Sequence, residues 1–362
     1  MSLPTTSTAP ALFVDQNNEF KVLRFVPVPE LVEGELIVKV LYSGVNPADV
    51  KHAPLLGINS TILGYDFCGH VVKANENSEY KIGDLVAGFT PFGVGQLWKH
   101  GAHQEYLSNP EELTFKVPKN MTSVEAASLT TILMTAADGI YSKTGYSLPS
   151  GKHIEGFRSG PLLVWGGATS VGIAMIQLAR ASGAHPILVT ASPKRHELLK
   201  KLGATYCFDY NSSDVAGQIK AVVGELKAGP IAYAADCAGY PGTEQEPSSA
   251  AQMAACVEES DKATFISVIP QPDKRFKFIF ACADRESKMN FPGKPTVTVP
   301  ARPEDFKRMR AALLWSVENY GNGFVMPSVE VFKGRAEDAL EQIHKIAVLG
   351  RFGKLVLEHP LL

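Results

Sequence analysis

Between Pro161 and Gly172 the chain reads PLLVWGGATSVG, an apolar run followed by two glycines and a turn of small residues. Leu162 to Trp165 are apolar without alternation, as a strand buried on both faces must be, and Val171, Ala174, Met175 and Leu178 then recur at helical spacing. A strand that turns tightly into a helix aims backbone N–H groups and the positive end of a helix dipole at one point. That geometry holds a pyrophosphate. The G-x-G-x-x-G pattern is met at Gly167 and Gly172, but Thr169 stands at its middle glycine, where the backbone must approach the phosphate. On these residues alone, an ordinary βα turn remains the alternative.

Which dinucleotide such a turn would hold depends on the end of the next strand. An acid about 20 residues beyond the glycines holds the ribose hydroxyls of NAD. Here the region reads Val189-Thr-Ala-Ser-Pro-Lys-Arg195, with no acid before Glu197. Ser192 followed by the cations Lys194 and Arg195 favours a 2′-phosphate, hence NADPH. Solvation of a helix turn is the other use these cations could have.

The elements needed to position these residues are legible around them. His185 to Ala191 reads as a second strand, Lys194 to Leu202 as a helix closed by Gly203, and Thr205 to Phe208 as a third strand. Ile231 to Asp236 and Thr264 to Val268 supply further strands with helical patterns between. Strands alternating with helices imply right-handed crossovers and a parallel sheet, with a dinucleotide across its carboxyl ends. Upstream, Ala11 to Tyr42 is β-patterned, with Leu36 to Tyr42 as a strong strand. Tyr146 to Gly160 is a polar insert with the look of a flexible loop. Residues 271–300 hold the last sheet strand or strands; after them Pro303 to Glu318 reads as a helix and Val329 to Val331 as a strand.

A length of 362 residues suits about two domains, and a formal charge of −2 with 45% hydrophobic residues describes an ordinary soluble protein. No basic excess points to nucleic acid. The opening MSLPTTSTAP has neither a charged nor an apolar segment of a secretory signal, and no apolar run approaches the ~20 residues of a membrane span. Five scattered cysteines without a CxxC pair fit a reducing cytosol.

Six further stretches, in order, carry a family resemblance: Ser43-Gly-Val-Asn-Pro-Ala-Asp-Val-Lys51, Leu63-Gly-Tyr-Asp-Phe-Cys-Gly-His-Val-Val72, Lys81 to Gly88, Gly101 to Tyr106, Val124 to Thr131 with Thr135-Ala136, and Gly350 to Val356. With the glycine turn they resemble the medium-chain dehydrogenase/reductase superfamily, in its quinone-reductase-like branch, over nearly the whole chain. The GGATSVG turn and the TASP segment are most similar to fungal trans-acting enoyl reductases of polyketide synthases. The resemblance implies an α/β chain with a GroES-like, β-rich catalytic domain (1–133 and 301–362) and an inserted Rossmann domain with a doubly wound parallel sheet (134–300). The active site is expected in the cleft between them.

Zinc-dependent members carry a catalytic Cys where this chain has Asn46, a His where Tyr65 stands, and a four-cysteine lobe in a region that here, from Phe89 to Tyr106, has none. With those soft ligands replaced, no metal is expected, and His100 and His103 are better read as hydrogen-bonded or solvated. Without a Lewis acid the remaining chemistry is conjugate reduction, in which the protein positions the cofactor, polarises a carbonyl and supplies a proton. The loop carrying Asn46 and Lys51 borders the active cleft in the resembling family. It makes Lys51 the candidate proton donor or carbonyl partner, against a surface lysine beside Asp49 or His52. Asn46 is either an orienting residue near nicotinamide or a turn residue before Pro47. The resemblance further assigns cofactor contacts to Thr135, Gly167, Ala168, Thr169, Ser170, Val171, Ser192, Lys194, Arg195, Tyr210, Ile269 and Phe352. Core packing for Tyr210 and a backbone-bonded helix hydroxyl for Thr135 are the alternatives. Cys237 reads as a small packed residue.

The function expected is NADPH-dependent reduction of the C=C bond of an α,β-unsaturated polyketide thioester held on a partner synthase, by a cytoplasmic monomer or homodimer. A free-standing quinone or alkenal reductase and a non-catalytic nucleotide-binding protein are the alternatives.

Overall fold

The computed structural model describes residues 6, 7, 9–149, 151, 157–282 and 284–362. Two compact units divide the chain: residues 1–131, 282–303 and 326–362 form the first, and residues 132–281 and 304–325 the second. The division differs from the boundaries drawn on sequence. Residues 282–300 pack with the first unit because they pair with each other as a hairpin, Ser287–Met289 against Val297–Val299, instead of extending the parallel sheet. Most of the Pro303–Glu318 helix goes with the second, its apolar residues Phe306, Met309, Leu313 and Val317 buried.

The first unit is built on a seven-stranded sheet whose central strand is Glu35–Gly44. Leu36, Ile37, Val38 and Val40 are buried there. Asp66–Lys73 and Tyr106–Pro110 pair antiparallel with this strand, as does the late Lys354–Glu358 strand. Gly44 lies where a Cβ would stand 2.2 Å from the carbonyl oxygen of Ala127, so only glycine lets those two backbones meet. The helix Ala48–Leu56 follows, with Val50, Ala53 and Leu56 buried while Lys51 falls on its exposed side. Val50 and Ala53 share a core with Leu12, Ile343 and Leu357.

The second unit is a six-stranded parallel sheet. Its strands are Leu162–Trp165, Ile187–Thr190, Tyr206–Phe208, Tyr233–Asp236, Thr264–Ser267 and Phe276–Phe278, and counted along the chain they lie in the order 3-2-1-4-5-6. That is the doubly wound order, with its reversal between the first and fourth strands. All four residues of the first strand are buried, as the continuous apolar run requires. The helix after the second strand begins at His196, after a short 3₁₀ turn over Pro193–Arg195, and stops at Gly203, whose φ of 132° suits glycine. Pro303–Glu318 is helical and Val329–Phe332 is a strand, as their patterns predict. The insert before the first strand is pinned at both described ends. Tyr146 and Phe157 pack on Tyr233 at ring separations of 5.5 and 6.1 Å, and the Arg158 guanidinium donates to the carbonyls of Ala232 and Lys262. Residues 150 and 152–156 of that insert lie outside the described residues. Among the described residues no helix is long and apolar enough to cross a membrane.

Candidate active-site and cofactor-binding residues

The glycine turn after Trp165 is closed by its own side chains. Gly166 has φ of 79°, the left-handed region that favours glycine. A Cβ on Gly167 would fall 2.1 Å from Val189, and one on Gly172 would fall 2.4 Å from the Gly166 carbonyl oxygen. Gly167 is therefore fixed by close approach to the neighbouring strand, and Gly172 by close approach within the turn. Thr169, the departure from the pattern, is the N-cap of the Ser170–Ala181 helix: its hydroxyl accepts from the Gly172 N–H at 3.0 Å. The hydroxyl hydrogen faces the carbonyls of Gly166 and Cys237 at 2.9 and 3.0 Å. The side chain is spent on the protein's own backbone, so Thr169 leaves intact the strand–turn–helix arrangement that holds a dinucleotide. The residues fit the cofactor that the fold implies.

Parallel register sets the other candidates around this turn. Gly167 N–H donates to Thr190 at 2.9 Å, and Ala191 N–H donates to Phe208 at 3.0 Å. Ser192, Lys194 and Arg195 thus leave the second strand beside the point where Tyr210 leaves the third. Lys194 is exposed, Arg195 half-buried, and Tyr210 is 44% exposed, which removes core packing as the explanation of that tyrosine. Ile269 follows the fifth strand, half-buried, close to the left-handed Gly239. Thr135 is buried and its hydroxyl accepts from the Ala281 N–H at 3.2 Å. Cys237 is buried with its sulfur 3.7 Å from that of Met175, and burial pushes its thiol pKa far up, as a packed residue requires. Asp236, not singled out from sequence, binds the turn after the fourth strand by accepting from the Ala238 and Gly239 N–H groups and from Ser267.

The catalytic candidates lie in the first unit. Lys51 is exposed, and its ammonium makes no hydrogen bond or ion pair among the described residues; partial desolvation moves its pKa down. Neither neighbour proposed for it is available. Asp49 is buried and engaged elsewhere, and the His52 Nδ1 is 2.8 Å from the Tyr65 hydroxyl. Burial lowers the His52 pKa to about 4 and raises that of Tyr65, so both are neutral near pH 7. Phe352 is half-buried in the turn leading into the Lys354–Glu358 strand.

Asn46 is buried at the junction of two polar chains. Its Nδ2 donates to Asp66 at 2.8 Å, and its Oδ1 accepts from the Lys354 ammonium at 2.7 Å. Lys354 also donates to the Val45 carbonyl at 2.8 Å and lies 3.7 Å from Asp66. The other Asp66 oxygen accepts from the N–H and hydroxyl of Thr131 at 2.7 and 2.5 Å. Burial drives Asp66 up and Lys354 down in pKa, and each charge opposes the shift of the other. The second chain starts where the Asn46 N–H donates to Asp49 at 2.7 Å. His103 Nε2 lies 3.2 Å from the same Asp49 oxygen, its Nδ1 2.8 Å from the Ser43 hydroxyl, and Ser43 2.7 Å from His359 Nε2. Asp49 only accepts, so His103 donates from Nε2, and the Ser43 hydroxyl links His103 Nδ1 to His359 Nε2. His359 Nδ1 is buried with no hydrogen-bond partner among the described residues. The His103 reading as a hydrogen-bonded residue holds, and His100 likewise meets Glu35 at 3.1 Å. Among the described residues no three His, Cys, Asp or Glu side chains converge as a metal site.

Composition and spacing did not single out Lys354, Asp66, Asp49, Ser43 or His359. A lysine between a glycine and an apolar strand carries no sign of burial, and its partners are up to 309 positions away.

Burial and the nearby His103 hold the His359 pKa at about 3, well below its ordinary 6.5. The unfolded chain takes up this proton first, so stability falls as pH drops from about 6.5 toward 3. By about pH 5 one excluded imidazole removes on the order of 2 kcal/mol. Calorimetry from pH 7 to 5 should show the midpoint falling, and a flat profile would contradict the burial of a neutral His359.

Comparison with known proteins agrees with this architecture. Residues 32–119 match the alcohol dehydrogenase GroES-like domain, and residues 170–279 match the zinc-binding dehydrogenase domain. The Saccharomyces cerevisiae protein YNL134C, described as uncharacterized, is 30% identical over 333 residues, 84% of each chain. The trans-enoyl reductase TwmE of Talaromyces wortmannii is 35% identical over 250 residues, 65% of this chain and 66% of its own. Trans-enoyl reductase buaC of Petromyces alliaceus is 32% identical over 65% of this chain and 64% of its own. Among solved structures, the CurK enoyl reductase superposes with a TM-score of 0.67 over 97% of this chain and 99% of that one, at 18% identity, which speaks to the fold. The GroES-like unit, the doubly wound sheet with its glycine cradle and this likeness in sequence make the chain an oxidoreductase of the medium-chain dehydrogenase/reductase superfamily, in the branch of the fungal enoyl reductases.

Proposed function

We propose that this chain is an NADPH-dependent, zinc-free reductase of C=C bonds conjugated to a carbonyl, acting in trans on an enoyl thioester carried by a polyketide synthase. The observation that carries the chemistry is the state of the two positions where zinc-dependent relatives hold ligands. Asn46 and Tyr65 are an amide and a neutral phenol, and the protein's own Lys354, Asp66 and His52 engage them. Neither is a donor suited to zinc. The preference for NADPH rests on Ser192, Lys194 and Arg195 at the end of the second strand, with no acid among them. The relatives named trans-enoyl reductases support the thioester, and the five free thiols support a reducing cytosol.

The nicotinamide, when bound, supplies the hydride. The residues' share is to hold the substrate carbonyl and protonate the α-carbon, and Lys51, whose ammonium has no partner among the described residues, is the candidate for the latter. Lys51→Ala should lower turnover on the order of 10²-fold while NADPH affinity stays nearly unchanged. A tenfold loss of NADPH binding with unchanged turnover would reject that role.

The reading itself is tested by NADPH oxidation, with NADH as control, on an α,β-unsaturated acyl pantetheine thioester beside simple quinones and alkenals. Thioester turnover favouring NADPH supports it. Turnover confined to free quinones or alkenals moves the protein to small-molecule reduction, and tight nucleotide binding without any turnover makes it a non-catalytic binder.

A further inference from the structure

The two ends of the Asn46 amide are held by groups that cannot exchange roles. Lys354 is a donor without an acceptor, and a carboxylate at Asp66 accepts. Turning the amide over would set NH₂ against an ammonium and a carbonyl against a carboxylate. Oδ1 therefore faces Lys354 at 2.7 Å and Nδ2 faces Asp66 at 2.8 Å. Asp49 adds a third hold through the Asn46 backbone N–H. Of the two hydrogens on Nδ2, Asp66 takes one, and the other has no partner among the described residues. An ammonium on Oδ1 also withdraws electron density from the amide, which strengthens the remaining N–H as a donor.

We propose that Lys354 and Asp66 are positioning residues that lock Asn46 so that it offers an N–H, and never its carbonyl, to the carbonyl oxygen of the substrate. The inference rests on the C=C reductase reading. As hydride adds to the β-carbon, a new C–H bond forms there and the π pair moves toward the carbonyl, whose oxygen gains negative charge. Asn46 donates a hydrogen bond to that oxygen without giving up its proton. The α-carbon is protonated separately, by the donor assigned to Lys51. A donor aimed at an oxygen that becomes negative binds the transition state more tightly than the ground state, so its loss lowers kcat.

The test compares Lys354→Met, Lys354→Arg and the double variant Lys354→Met/Asp66→Asn. The double variant removes both charges and guards against a single variant that fails to fold with an unpaired carboxylate in its core. The first measurement is kinetic, on the enoyl thioester. Loss of the lock should lower kcat about tenfold or more with NADPH affinity within about twofold, and Lys354→Arg should restore most of it. The second is the side-chain NH₂ signal of Asn46 in ¹⁵N-asparagine-labelled protein, assigned by its loss in Asn46→Ala. The wild type should show one hydrogen shifted strongly by its charged acceptor, and the double variant should lose that asymmetry. Unchanged kcat in a folded double variant, or an unchanged Asn46 signal, overturns the proposal. If the wild type reduces no conjugated C=C substrate, the functional reading falls, and the Asn46 signal still decides whether Lys354 and Asp66 orient the amide.

Discussion

Gly172→Ala should weaken nucleotide binding at least about tenfold and lower stability, although it adds a single methyl group. The new Cβ would lie 2.4 Å from the Gly166 carbonyl oxygen and 2.8 Å from the Gly167 Cα, and these are backbone atoms that cannot rotate aside. The turn must open, which breaks the Thr169 cap on the Gly172 N–H. Overpacking of this kind costs about 1–3 kcal/mol, and a displaced cradle should cost at least about tenfold in NADPH affinity. Quenching of tryptophan fluorescence by NADPH, with a thermal melt of the same sample, measures both. Gly224→Ala is the control: no atom lies within 4 Å of its would-be Cβ, and it sits in the Val215–Glu225 helix, where alanine is favoured by about 1 kcal/mol. Equal behaviour of the two variants would show that the crowding at Gly172 is relieved at no cost.

Asp66→Ala is expected to be among the most destabilising single substitutions in the chain. It strips an acceptor from the Thr131 N–H and hydroxyl and from Asn46, and leaves the buried Lys354 ammonium without its counter-charge. Breaking a buried ion pair from one side costs about 3–5 kcal/mol. The Lys116–Asp84 pair, at 2.9 Å, is closer than the 3.7 Å between Lys354 and Asp66 but is open to water, and Asp84→Ala should cost less than about 1 kcal/mol. Urea unfolding of both variants separates the two cases. If Asp66→Ala loses no more than Asp84→Ala, the charges around Asn46 are not held as the distances imply.

Sequence made the second unit the more legible of the two. Its strands are short apolar runs, its helices carry 3.6-residue stripes, and its turns are marked by Gly166, Gly167 and Gly203, all of which are local signals. Even there the glycine pattern breaks at Thr169. A missing glycine counts against a phosphate turn only if the side chain points at the ligand, and a threonine at the N-cap turns inward onto the backbone N–H of Gly172. Near residue 300 a two-stranded hairpin and another sheet strand share the same β pattern. Only pairing tells them apart.

The sequence by itself determined the order of elements, the glycine cradle, the absence of an acid after the second strand and the amide and phenol where zinc-dependent relatives hold ligands. Each of these is a property of residue type at a fixed spacing. Tertiary structure alone decided what Asn46 can do. Its partners Asp66 and Lys354 come from strands 20 and 308 positions away and meet it because antiparallel pairing lays both strands against Glu35–Gly44. A lysine becomes a fixed, buried cation only when the fold removes its water and supplies its acceptors, and no local pattern carries that information.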